Sequence, residues 1–360
     1  MTEYTELATL QGQEDGVLSL GFSARGKYIA ATGYAGVCIW EVAQQQRVSV
    51  PAPPAVITDK HIYTRSVWLH FEHTGLHVLV LGSKRGDISL WRWKRAFVYS
   101  CRSKHSPDVT EVLSMDVYRR SVHHEERGRV AVSTADGRIT LWSVCPSADK
   151  LRQIFSVQLE PAFFPKTIKF DVSAHAIVAF AETGGTMARY HCDTGKHMGH
   201  RHDGPEVMAS VAIDAAKSVF AAYTGSTYEF SSLRRQMHIA TIDSETPDIY
   251  YPMSMAFAEG GELLLVGTDK AHALLYDVEH GRIRQSFGYP KGGLVQQVAA
   301  CSTKDCHLVA FAGSSIRRSA DVIIYVKARS RKILHWAFTV AILCLALHNL
   351  ANLTVCSALY

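Results

Sequence analysis

VLSLGFSARGKYIAATGYAGVCIWE, residues 17–41, alternates short apolar runs with turn residues, and its reading decides the fold. Three stretches, 17–22, 28–32 and 37–41, are rich in the β-branched, aromatic and small apolar side chains of strands. Gly26 and Gly36 fall in the two connections, where glycine adopts positive φ at little steric cost. The segment reads as three short strands separated by turns.

The same rhythm recurs along the chain. Aromatic residues stand at matching third-strand ends, at Trp40, Trp91, Trp142, Tyr190, Phe230, Tyr276 and Tyr325, with intervals of 51, 51, 48, 40, 46 and 49 residues. Such periods are those of four-stranded propeller blades. Residues 67–93 and 112–144 repeat the first unit closely. The fourth and fifth units, 167–195 and 207–232, lack the terminal Trp but keep the order strand, turn, strand, turn, strand. The sixth restores Tyr276-Asp277, and the seventh ends at Ile324-Tyr325.

The residue order resembles the WD-repeat family. Phe22-Ser23, Gly26 and Ile39-Trp40-Glu41 fill the consensus places, Ala35 stands where the family has its turn Asp, and Asp136-Gly137 restores that turn in the third unit. The resemblance implies an all-β fold, a single seven-bladed WD-type β-propeller over residues 1–326. After residue 326 nothing remains to make a fourth strand for the seventh unit, while the strand-like stretch 5–11 is unassigned. Lending it to the last blade, as the family commonly does, removes two exposed sheet edges. The expectation is that residues 6–10 pair with 322–326. Long spacers are expected at 48–65 and 143–167; Pro51, Pro53 and Pro54 cannot donate ladder hydrogen bonds and direct the first around the outside of its blade.

The remaining chain is unlike the rest. Residues 333–360 contain no Asp, Glu, Lys or Arg, and Lys327, Arg329, Arg331 and Lys332 precede them. About 20 apolar residues span a bilayer core. The preferred reading is a basic juxtamembrane linker over 327–332 and a transmembrane helix over 333–358. His348, Asn349, Asn352 and Thr354 make its second half costly to insert, so an interfacial helix and a tail packed on the propeller stay open. The basic cluster places the propeller in the cytosol by the positive-inside bias, tail-anchored and with the endoplasmic reticulum favoured; without insertion the chain is cytoplasmic.

Charge and composition exclude several classes. A net charge of +5 with scattered basic residues gives no nucleic-acid stripe. Eight cysteines without a CxxC pair suit a reducing compartment, and the acidic, non-apolar stretch 1–16 is not a signal peptide. No phosphate-cradling loop, HExxH or GxSxG occurs, so no cofactor and no enzyme activity are expected. His191, Cys192, Asp193, His197, His200, His202 and Asp203 form a conspicuous run, of which His197, His200, His202 and Asp203 have the donor types for zinc. Because Gly199-His200 fits the family's dipeptide leading into the next blade, the preferred reading is structural and assigns no metal.

The resemblance further implies a buried network of His105, Ser133, Asp136 and Trp142, and partner binding on the face made by the inter-blade loops and the turns between second and third strands. Transferred by position, that face presents Tyr63, Arg65, Lys84, Arg85, Tyr250, Tyr251, Lys270, Arg317 and Arg318. Tyr and Arg are frequent interface anchors, and the basic balance suits an acidic or phosphorylated protein partner. The expected function is a non-catalytic interaction scaffold, a monomeric propeller held at a membrane. A soluble subunit of a ubiquitin-ligase or chromatin complex, and a membrane-anchored exchange factor like that of COPII coat assembly, are the alternatives.

Overall fold

The stretch 17–41 folds as Val17–Phe22, Tyr28–Gly33 and Gly36–Glu41, antiparallel and in sequence order, with Thr32 opposite Val37 and Ile29 opposite Trp40. The same unit recurs through a computed structural model that describes residues 3–329, apart from 53–54, 94–95, 105–109, 124–125 and 250. Its described residues form seven sheets, each built on an antiparallel four-stranded meander or, in blade 7, on three such strands and the N-terminal one. Blades 1 to 6 occupy residues 17–47, 63–104, 112–158, 165–201, 210–243 and 255–288; blade 7 takes 297–328. Each blade's first strand lies against that of the next, and Gln297–Ser302 of blade 7 lies against Val17–Phe22 of blade 1. The ring is a closed seven-bladed β-propeller.

Closure follows the expected register. The strand Thr5–Gln13 is the outer strand of blade 7, with Glu6 opposite Tyr325, Ala8 opposite Ile324 and Leu10 opposite Val322. Its inward residues Ala8 and Leu10 join Val322 and Ile324 of blade 7 and Ile29 and Trp40 of blade 1 in one apolar cluster.

A finer repeat shows that this strand is a true blade element. At the third-strand aromatic of blades 2, 3, 4 and 6 the outer strand contributes one extra residue, and blade 5 does the same one position later. Leu7 is that extra residue in the N-terminal strand, between Glu6 and Ala8. A bulge of this kind bends and twists the outer strand. The aromatics themselves, Trp40, Trp91, Trp142, Tyr190, Phe230 and Tyr276, are all buried. Blades are laced by hydroxyls: Ser19, Ser114 and Ser254 each accept a backbone N–H from the next blade, from Ser66, Ile168 and Val298. Where a second strand ends beneath a loop, glycine is needed for room; a Cβ on Gly267 would lie 2.2 Å from the Val295 carbonyl oxygen.

Two features differ from the sequence reading. The span 143–167 is no long spacer, because it holds the outer strand Leu151–Gln158 of blade 3, leaving the turn 145–150 within the blade and 159–164 as the loop to blade 4. Charged residues at 149, 150 and 152 interrupt the apolar pattern there, as an outer strand facing solvent permits. Blade 2 also has a fifth strand, Ser121–Val122, which the loop of blade 3 adds parallel to His70 and Phe71. Cys38, Cys145, Cys192, Cys301 and Cys306 are free thiols. Among the described residues no helix is long and apolar enough to cross a membrane. The expected helix 333–358, and residues 330–332 of the expected linker, lie outside the described residues.

Candidate interaction surface

In each blade the first strand starts and the second strand ends on the same side, so inter-blade loops and second-to-third-strand turns share one face of the ring. Lys84, Arg85, Lys270, Arg317 and Arg318 are exposed on this face, and Tyr251 is 48% exposed. They belong to blades 2, 6 and 7 and the loops beside them, and do not form one cluster. Two of the lysines face carboxylates, Lys84 with Asp59 at 3.6 Å and Lys270 with Asp248 at 4.0 Å. Arg317 takes a left-handed φ of 60° and donates its backbone N–H to Asp15 Oδ1 at 2.6 Å, fixing the turn of blade 7 to the loop before blade 1.

Arg65 is not a loop residue. Its guanidinium donates to the carbonyls of Thr64 at 2.6 Å and Leu18 at 3.4 Å, in the joint between the first strands of blades 1 and 2. Burial there pulls its pKa down from the usual arginine range, with nearby Glu111 opposing the shift. Tyr250 and His105 lie outside the described residues. Of the other expected network members, Ser133 donates to the Pro165 carbonyl of blade 4 at 3.0 Å, Asp136 accepts from Thr134 and Trp142 is buried. Ser133 is thus used between blades, not within the turn.

Tyr63 opens a feature that the sequence did not announce. Its ring lies 6.0 Å from that of Trp91, edge to face, and both line a groove of about 380 Å³ between blades 1 and 2. Tyr99 completes the aromatic wall, while Arg47, Lys60 and His61 add polar edges; among the described residues no Asp or Glu lines the groove. It exists because the outer strand of blade 1 is only Gln46–Arg47, two residues against six in the third strand. Gly36 and Val37 therefore border the groove directly. The signal in the sequence was Pro51: a residue without an N–H cannot carry the outer strand onward.

The histidine run divides between two places. His197 and His200 stand exposed on the outer strand His197–Arg201 of blade 4, ring centroids 4.1 Å apart, and His202 contacts the Thr186 hydroxyl at 3.1 Å. Asp203 is held by Arg201, whose hydrogen bonds keep its carboxyl below the usual carboxylate range. The zinc-like set His197, His200, His202 and Asp203 is thus spread over separate partners. Cys192 is buried, which pushes its thiol up to about 12. His191 and Asp193 lie instead at the turn after the third strand, beside His175 from the turn after the first. His175 was missed in sequence because it is 16 residues from His191, a distance that only the pairing of strands closes. No protein-family model matches the chain, and no curated protein matches it.

Proposed function

We propose that this chain is a WD-type propeller serving as a non-catalytic protein-interaction scaffold, held to a membrane through residues 333–358 with its ring in the cytosol. The observation that carries the scaffold reading is the groove between blades 1 and 2. Exposed Tyr99 and half-buried Tyr63 offer stiff aromatic area over the buried Trp91, on a ring whose blades are hydrogen-bonded to one another, and Arg47 and Lys60 supply cationic edges with no carboxylate lining the groove among the described residues. Aromatic anchors on a rigid frame bind at low entropic cost. A peptide segment with an apolar anchor and neighbouring acidic residues fits this chemistry.

The groove is tested by quantitative affinity purification of the full chain and of an Arg47→Glu/Lys60→Glu variant. The reading expects a discrete set of partners lost by the variant while its thermal melt is unchanged. An identical partner set in both would move binding elsewhere on the ring. The tether rests on the charge-free stretch 333–360 and the basic residues before it. Alkaline carbonate extraction of the full chain and of a chain ending at Lys327 tests it. Retention of the full chain alone supports an integral anchor; release of both favours a soluble complex subunit.

A further inference from the structure

On the face opposite the interaction surface, two turns of blade 4 meet. The turn after the first strand places His175 at φ 52°, and the turn after the third begins with His191 and Asp193. Blades 2 and 5 put Gly75 and Ser218 at the corresponding left-handed position, the residue before the second strand; blade 4 alone among these three uses it to aim an imidazole at a carboxylate. One ligand atom from each of His175, His191 and Asp193 lies within 4.8 Å of the other two.

We propose that His175, His191 and Asp193 form a binding site for a divalent transition-metal cation of the zinc class. Two imidazoles and one carboxylate are a donor set that such ions accept, with a fourth position left for water or a partner's side chain. Around a bound ion the donors would stand roughly 3.4 Å apart, given metal–ligand bonds of about 2.1 Å; the 2.8 Å contact of His175 with Asp193 must therefore open by about half an ångström to admit the ion between them, while no donor lies more than 4.8 Å from another.

The surrounding groups hold these side chains from behind, which distinguishes the cluster from a chance meeting. Asp193 accepts from Arg129 through Oδ1 at 2.7 Å, leaving Oδ2 toward His175 Nε2 at 2.8 Å. His191 Nδ1 accepts the Asp193 backbone N–H at 3.2 Å. His175 Nδ1 contacts the Tyr118 hydroxyl at 2.9 Å, and that hydroxyl also lies 3.5 Å from the Val172 carbonyl. This second partner balances the protons. When an ion takes His175 Nε2, the imidazole proton moves to Nδ1 and is donated to the Tyr118 oxygen, while the Tyr118 hydroxyl proton turns to Val172. Neutral histidine thus binds without net proton loss. Such outer partners orient ligands and typically matter 10–100-fold in affinity.

The test is titration of the full chain with Co²⁺, read by its visible ligand-field bands and by Zn²⁺ displacement, with near-UV circular dichroism in chelator to verify the fold of each variant. One ion per chain is expected. Asp193→Asn and His191→Ala should each weaken binding at least tenfold, and Tyr118→Phe by about 10–100-fold. A His197→Ala/His200→Ala/His202→Ala variant should bind like the parent. Absence of saturable one-to-one binding by the folded parent overturns the site, as does binding that the triple variant abolishes and the Asp193 and His191 variants retain.

Discussion

The joint between blades 1 and 2 and the joint between blades 4 and 5 solve the same packing problem with different chemistry. The first is aromatic: Tyr28 of blade 1 meets Trp68 and Phe97 of blade 2 at centroid distances of 6.2 and 5.5 Å, and Trp68 Nε1 donates to the Gly21 carbonyl at 2.9 Å. The second has one aromatic contact among the described residues, Phe180 with Phe220 at 5.2 Å, inside an aliphatic cluster of Val178, Met187, Val211 and Leu233, and adds polar links around it. There Arg201 donates to the carbonyls of Ser232, Leu233 and Arg235 in blade 5, and buried Asp171 holds Arg189 at 2.7 Å and faces Arg234 at 3.6 Å. Units that resemble the repeat consensus least are therefore bound to each other by guanidinium groups. The consensus Trp is one way to fill a blade, and the ring does not depend on it.

Closure stands above either joint. Deleting residues 3–13 strips the outer edge of blade 7 and removes Ala8 and Leu10 from the cluster shared with blade 1. The expected outcome is loss of the folded monomer, read by size-exclusion chromatography as aggregation, because an exposed edge invites pairing with other chains. At the next scale, Trp68→Ala and Phe220→Ala probe the two joints directly. Each should cost about 3–5 kcal/mol in denaturant unfolding. A much smaller cost for Phe220→Ala would mean that the polar links alone carry the joint between blades 4 and 5.

Arg201→Ala tests those links. Three carbonyls of blade 5 and Asp203 lose their donor, and a loss of about 2–3 kcal/mol is expected for charged hydrogen bonds of this number acting as a unit. An effect no larger than that of an ordinary surface substitution would break the contrast drawn between the joints.

Acid separates the joints by a smaller effect. Buried His77, 5.1 Å from the Tyr28 ring, has its pKa lowered to about 3 by burial, with His70, Lys27 and Arg25 adding to the shift. Since the unfolded chain binds this proton at an ordinary pKa of about 6.5, stability is full above that value and falls as pH drops toward 3. Between pH 7 and 5 the loss should be about 2 kcal/mol, and His77→Leu should flatten it. Asp203 in the other joint, held low by Arg201, contributes stability that is complete above the ordinary carboxylate value and is lost as pH falls from there through its lowered folded value. Thermal melts across pH 3–7 for the parent, His77→Leu and Asp203→Asn distinguish the two windows.

Much of the fold was legible because it depends on local rules. Turn glycines, short apolar runs and one large aromatic per third strand are visible in sequence, and Tyr190 and Phe230 fill the place of Trp with side chains that bury as well. Closure was legible by elimination, since blade 7 lacked a strand and residues 5–11 lacked a partner. What joins blades was hidden, because Arg201 and Asp171 act across distances that only the ring determines. The same holds for function: Lys84, Arg85, Arg317 and Arg318 were visible as basic turns, but the carboxylate facing Lys84, the inward turn of Arg65 and the groove beside Arg47 depend on how neighbouring loops meet. His175 reaches Asp193 only through strand pairing.

Amide hydrogen exchange of peptides covering residues 3–13 tests closure of the ring most directly. Pairing with Ala320–Ala328 predicts that these amides exchange slowly, in step with the central strand Cys306–Ala312 of the same blade. Exchange as fast as that of the loop 55–60 would contradict a ring closed by its N-terminal strand.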